Sequence, residues 1–236
     1  MALPVLVLRP QPGADEMAEQ LAKENFAPVL APIFQISALG ISLPKLSGFS
    51  ALIFTSANGV RQFARLSSER KLPVLAIGPR TAQSADDAGF EQVRHFDGNR
   101  TELLAALQRD ASYLHLHGAH QAGNLSAEAK SHGLSCQSLA IYRSQALNSL
   151  PASACAFLQK PDGAIVFFSP RAAQIFNHLA NNQGLLDNTK RFYAITISSS
   201  VAGNLNPHQW KAISIASRPN MAGIISALRK LSENKV

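Results

Sequence analysis

Only two cysteines occur among 236 residues, Cys136 and Cys155. They build no disulfide framework and stand at no metal-ligand spacing. No apolar run is long enough to span a bilayer. The opening MALPVLVLRP carries no basic stretch before its apolar residues, so it reads as a first strand rather than a signal peptide. A cytoplasmic protein with no membrane partner is the expectation. The usual phosphate and nucleophile signatures are also missing. Without G-x-G-x-x-G a dinucleotide lacks its cradling turn, and without G-x-x-x-x-G-K-[ST] a P-loop is excluded. Neither Ser56 nor Ser169 sits in a G-x-S-x-G elbow.

What is present is an ordinary globular composition, 46% hydrophobic and 16% charged, with a formal net charge of +7. At this length the chain forms one large or two small domains. The positive excess is scattered rather than gathered in a tail. No nucleic-acid motif or aromatic stacking platform accompanies it, so no nucleic-acid partner is expected. A polyanionic small molecule suits such a surface, because a positive site raises its local concentration.

Two stretches echo one another. Ile165 to Phe176 (IVFFSPRAAQIF) and Leu52 to Phe63 (LIFTSANGVRQF) each run from apolar strand through a serine into a helical pattern. Ser56 and Ser169 occupy the same place, at the strand's C-terminal end. A second pair follows in the same order, Leu75 to Ala85 (LAIGPRTAQSA) and Tyr193 to Leu205 (YAITISSSVAGNL). Strand, polar turn and helix repeated in order predict two similar α/β lobes.

The chain in sequence then sorts itself. Val5 to Leu8, Asp15 to Asn25 and Phe26 to Leu30 read as β-α-β, after which Pro32 to Ile41 is extended. From Ala51 to Ala140 strands alternate with helices, the signature of βαβ units and a parallel sheet. A second non-repetitive passage follows Ile141. Strands return at Ala164 to Phe168, Phe192 to Ile197 and Ala212 to Ile215, with a last helix over Met221 to Leu231. The N-terminal segment has too few strands for a sheet of its own, and the C-terminal strands complete it. The fold class predicted is therefore two doubly wound α/β lobes of parallel sheet. Residues 1–35 and 145–236 form lobe one, and residues 38–138 form lobe two, inserted into it. Crossings at 33–37 and 139–144 form a two-stranded hinge.

Small hydroxyl residues and glycines gather at the predicted strand ends: Thr55, Ser56, Gly78, Thr81, Gly118, Ser169, Ser198, Ser199 and Ser200. In open α/β sheets the carboxyl ends of the strands form the ligand crevice. Helix-start N–H groups bind anions there, and Ser or Thr adds donors without bulk. The same residues are also preferred helix caps and need no ligand for that. Arg9, Arg80, Arg143 and Arg171 lie beside these turns and would strengthen anion binding. His115, His117 and His120 form the nearest approach to a metal pattern. No carboxylate or cysteine lies near them, so they read as strand-end and loop histidines and no metal is expected.

The ordered pieces LVLRP, ALIFTSANGV, LAIGPRTA, LAIYRS, AIVFFSPRAAQIF and AITISSSVAGNL together resemble the uroporphyrinogen-III synthase family. Spread from residue 6 to 205, they span nearly the whole chain. The resemblance implies a hydro-lyase of tetrapyrrole and heme synthesis, with two lobes joined by a two-stranded ladder. Its reaction closes hydroxymethylbilane, a linear tetrapyrrole carrying carboxylates, with loss of water and inversion of ring D. It also implies that Tyr142 is the hinge tyrosine, hydrogen-bonding the departing hydroxyl as a weak acid, or else packing only. For such a substrate, Arg9, Ser56, Thr81, Gly118, Ser169, Ser198 and Ser199 of the strand-end set are the binding residues expected. No metal, nucleotide or flavin is implied; a monomer is expected, with transient contact to the preceding pathway enzyme. The chain departs from the family pattern at His117, where an arginine or another short turn often stands. It departs again at Thr196 to Val201, where a glycine is missing. From the residues alone, a non-catalytic two-lobe protein closing on an anionic small molecule has the same features, and turnover discriminates the two.

Overall fold

The computed structural model describes residues 2–97, 100–120 and 123–233. The chain opens with β1 (Pro4–Val7), α1 (Gly13–Lys23), β2 (Ala27–Leu30) and β3 (Phe34–Ala38). Then come β4 (Ala51–Phe54), α2 (Ala57–Leu66), β5 (Val74–Ile77), α3 (Pro79–Asp87), β6 (Val93–Phe96) and α4 (Arg100–Ala106). They continue with β7 (Ser112–Gly118), α5 (Leu125–Ser131) and β8 (Ser135–Ala146). The last segment holds α6 (Ala152–Leu158), β9 (Gly163–Phe167), α7 (Pro170–Asn182), β10 (Phe192–Thr196), α8 (Ser199–Ala202), β11 (Ala212–Ile215) and α9 (Met221–Glu233). The whole is α/β. Among the described residues no helix is long and apolar enough to cross a membrane.

Two compact units divide these elements: Met1–Gln35 with Gln145–Val236, and Ile36–Ser144. The first unit holds a five-stranded sheet in the order β11-β10-β9-β1-β2, parallel throughout. Its central strands are apolar on both faces, as a sheet covered by helices on each side requires. Leu6, Leu8, Ile165 and Phe167 face Phe157 of α6 and Phe176 of α7. Val5, Val7, Ala164 and Val166 face Met17 and Leu21 of α1 and Ile224 and Leu228 of α9. Strict alternation along each strand thus separates two cores.

The second unit repeats the plan. Its sheet has the order β3-β8-β7-β4-β5-β6, parallel from β8 to β6. Leu52, Phe54, Leu114 and Leu116 face Val60 and Phe63 of α2 and Ala82 and Ala85 of α3. Ala51, Ile53 and Tyr113 face Leu103 of α4 and Leu125 and Ala129 of α5. The chain passes between units within β3 and within β8.

Several elements differ from their sequence pattern. α6 occupies part of the passage that looked non-repetitive. Its turn of Ala154, Phe157 and Leu158 is buried, a patch too short for periodicity to announce. β8 continues to Ala146 instead of ending near Ala140. α5 starts at Leu125, because the Asn124 side chain accepts from Ala127 N and caps it there. The helix that closes the Tyr193 to Leu205 stretch is short, α8 at Ser199–Ala202.

Candidate functional site

Strand order reverses once in each sheet, and there the carboxyl ends of neighbouring strands lead away in opposite directions. In the second unit the reversal lies between β4 and β7. From β4 the chain moves outward through β5 to β6, while β7 moves the other way to β8. Ser56 follows β4 and Gly118 ends β7, so both stand at this point. Ser56 caps α2, its Oγ accepting from Asn58 N at 3.2 Å.

Tyr142 of β8 reaches the same place. Its ring lies over Gly118: a Cβ on that residue would stand 2.8 Å from Tyr142 Cε2 and Cζ. Only glycine leaves room for the ring, so Gly118 is a seat for the phenol. The phenol hydrogen-bonds the Ser56 side chain, and burial raises its pKa above the ordinary range against the opposing pull of that bond. Tyr142 is 8% exposed. At neutral pH it is a protonated phenol.

On the other face of β7 lie the histidines. His115 and His117 are buried within the strand, His117 one residue before its end, and stack with centroids 4.9 Å apart. His115 Nδ1 lies 3.1 Å from Ser138 Oγ and its Nε2 lies 3.4 Å from Thr55 Oγ1. Desolvation, then the neighbouring charges of His117 and Arg100, lower its pKa to about 3. It is a neutral bridge from β7 to Ser138 of β8 and to Thr55, the residue after β4. His120 is exposed beyond the strand. Among the described residues no three His, Cys, Asp or Glu gather as metal ligands. Burial pushes the Cys136 thiol up to about 11, away from nucleophilic use.

The other predicted residue of this unit stands one strand outward. Gly78 adopts φ +84 at the start of α3, a left-handed turn that favours glycine. Thr81 is buried in that helix's first turn, while Arg80 beside it is exposed. Arg143 is exposed on β8.

In the first unit the reversal falls between β1 and β9. Arg9 follows β1, and its guanidinium lies 4.6 Å over the Phe168 ring. Ser169 follows β9 and caps α7, its Oγ accepting from Ala172 N at 3.1 Å. Arg171 lies over the Phe34 ring at 5.0 Å. One strand outward, Ser198 precedes α8 without a side-chain cap bond, and Ser199 is exposed in its first turn. Of the predicted residues, Ser56, Gly118 and Tyr142 come together in one unit, and Arg9 and Ser169 share the reversal point of the other. Sequence reasoning passed over the side-chain bonds of His115 and His117. The i, i+2 spacing of two histidines on a strand was the signal available.

The family model of uroporphyrinogen-III synthase HemD matches residues 15–226. No curated protein matches the chain. Among solved structures, uroporphyrinogen-III synthetase from Helicobacter pylori is similar with a TM-score of 0.70 and 20% identity. That likeness covers 98% of this chain and 100% of the other. A mutant uroporphyrinogen III synthase from the extremely thermophilic bacterium Thermus thermophilus is similar with a TM-score of 0.52 and 16% identity, covering 99% and 100%. At such identities these two likenesses speak for the fold. The family match spans almost the whole chain and takes in the reversal point of the second unit and, in the first, β9 with Ser169 and Ser199, so the chain belongs to the uroporphyrinogen-III synthase family, lyases that close hydroxymethylbilane to uroporphyrinogen III.

Proposed function

We propose that the cyclisation is assisted at the reversal point of the second unit, with Tyr142 as the donor to the leaving group. In the first step the C–O bond of the terminal hydroxymethyl group breaks. The hydroxyl takes up a proton and leaves as water, and the pyrrole nitrogen's electrons stabilise the electrophilic carbon left behind. A neutral phenol in a desolvated seat is suited to hydrogen-bond that hydroxyl as it departs. The substituted carbon of ring D then attacks, giving a spiro intermediate that reopens and closes with the ring inverted. No electrons pass to an acceptor, so the reaction needs no redox cofactor.

Conformational control is the larger part of the task, because unassisted closure gives the uninverted isomer. Donors fixed in advance supply that control. The N–H groups at the starts of α2 and α7 hold substrate carboxylates, with Ser56, Thr81, Gly118, Ser169, Ser198, Ser199 and Arg9 around them. The enzyme works as a cytoplasmic monomer, without metal, nucleotide or flavin. An unstable substrate favours transient contact with the enzyme that makes it.

The observation carrying this reading is the Tyr142 phenol, protonated and seated on Gly118 against Ser56. Incubation with freshly made hydroxymethylbilane, with the product isomers resolved, tests it. The wild-type chain gives the inverted isomer. Tyr142→Phe gives it slowly, with the uninverted isomer accumulating from substrate that closes unaided. Undiminished turnover in a folded Tyr142→Phe chain reduces the tyrosine to packing.

A further inference from the structure

An ordinary strand would turn Tyr142 to the wrong face. β7 and β8 pair in constant register from Ser112↔Ser135 to His117↔Ala140. Along this stretch Cys136 and Ser138 turn towards the face of Tyr113 and His115. Leu139 turns to the opposite face, that of Leu114 and Leu116. Alternation would send Ile141 to that second face and Tyr142 back to the first. The next pair, however, is Gly118↔Tyr142, with Ile141 left over. Ile141 and Tyr142 accordingly share one core cluster on the second face. This β-bulge is what aims the phenol at Ser56.

One side chain bonds the backbone at that step. His117 Nδ1 lies 2.7 Å from Gly118 O. A carbonyl only accepts, so Nδ1 carries the proton and donates. The His117 ring is 9% exposed and stacks on His115, which Ser138 and Thr55 hold in turn. The carbonyl so held belongs to the residue on which the Tyr142 ring rests. In the same peptide group, Ala119 N donates to Tyr142 O at 2.7 Å. Rotation of the Gly118 carbonyl would therefore move both the floor and the anchor of the phenol.

We propose that His117 is a positioning residue for Tyr142: its Nδ1–H on Gly118 O holds the bulge that points the phenol at Ser56. The effect on turnover rests on the role given to Tyr142 above, whereas the effect on ring position does not. Two substitutions separate the hydrogen bond from the packing. His117→Phe keeps a ring to stack on His115 and removes the donor. His117→Asn keeps an N–H donor on the same branch and removes the ring.

The full-length chain, labelled at the phenol carbon of its three tyrosines, is examined by NMR, with Tyr142→Phe assigning the resonance. His117→Phe is expected to shift the Tyr142 resonance. It should also lower kcat by about tenfold to a hundredfold, the cost of a small misplacement of a working group. KM should stay within about twofold, because binding is shared among other donors. His117→Asn is expected to restore both. A resonance left in place by His117→Phe overturns the proposal, whatever happens to turnover. A resonance that His117→Asn fails to restore overturns the hydrogen bond as its cause. A resonance that shifts and returns as expected, while Tyr142→Phe remains fully active, upholds the positioning and removes the catalytic reading of Tyr142. Should His117→Phe fail to fold, His117→Leu, which is smaller than the ring it replaces, is read the same way.

Discussion

In each unit a fully buried apolar strand ends in a serine that caps the following helix, Ser56 after β4 and Ser169 after β9. Both serines stand where the strand order reverses, and both cap bonds come from the first turn of the helix. The difference lies in what else reaches them. Ser56 also meets a phenol brought in from β8 by a bulge. Near Ser169 the aromatic neighbour is Phe168, covered by the Arg9 guanidinium. One scaffold thus offers a protonated donor in the second unit and a cation in the first. Likeness of local motif sets the frame, and the residues delivered from other strands set the chemistry.

The comparison breaks most completely if the units are not independent folding bodies. Ile36–Ser144 has two core clusters of its own. Expressed alone it should fold with a single cooperative transition, while residues 1–35, lacking β9 to pair with β1, should stay unfolded. Circular dichroism and amide exchange on the two fragments decide this.

The next effect in size concerns the phenol. Tyr142→Phe should lower turnover by about tenfold to a thousandfold, the range one positioned acid or donor supplies. The melting temperature should move little, since one hydrogen bond is worth only about 1 kcal/mol net. Gly118→Ala should follow, with a rate loss of about a hundredfold as the added methyl pushes the ring from its seat. Unlike Tyr142→Phe, it should also destabilise by about 1–3 kcal/mol through overpacking. Steady-state kinetics beside thermal melts separate the two.

Acid should distinguish the units next. In the second unit His115 is buried with its pKa lowered to about 3, whereas His178 and His208 of the first are exposed. Below about pH 6.5 the unfolded chain protonates the His115 imidazole and the folded chain does not. Stability is therefore present above pH 6.5 and lost progressively as pH falls towards about 3. Amide exchange should show the second unit opening first, and His115→Gln should flatten the slope.

The smallest effect is the sharpest comparison. Ser56→Ala and Ser169→Ala should each cost about 1 kcal/mol of stability as lost caps. Only Ser56→Ala should also shift the Tyr142 resonance. Equal shifts in both variants would remove the distinction between the two serines.

The sequence by itself determined the α/β class, because runs such as Ala51–Phe54 and Gly163–Phe167 bury both faces and alternate with helical patterns. It determined the parallel sheets, the capping serines and the repeated order of the two copies. It also marked Tyr142, through resemblance, and Gly118, through its place at a strand end. What it did not determine was the face of β8 on which Tyr142 lies. A period of two places residue 142 opposite to Ile141, and no residue type in that stretch announces an extra position. The register is settled by where His117, Gly118 and Ala119 of β7 and its end meet β8, a pairing between segments more than twenty residues apart in the chain. For the same reason His117 read only as a strand-end histidine. Its role depends on a carbonyl whose orientation is set by the neighbouring strand. Periodicity is a property of one segment, while register and bulges belong to pairs of segments, and only tertiary packing selects among them.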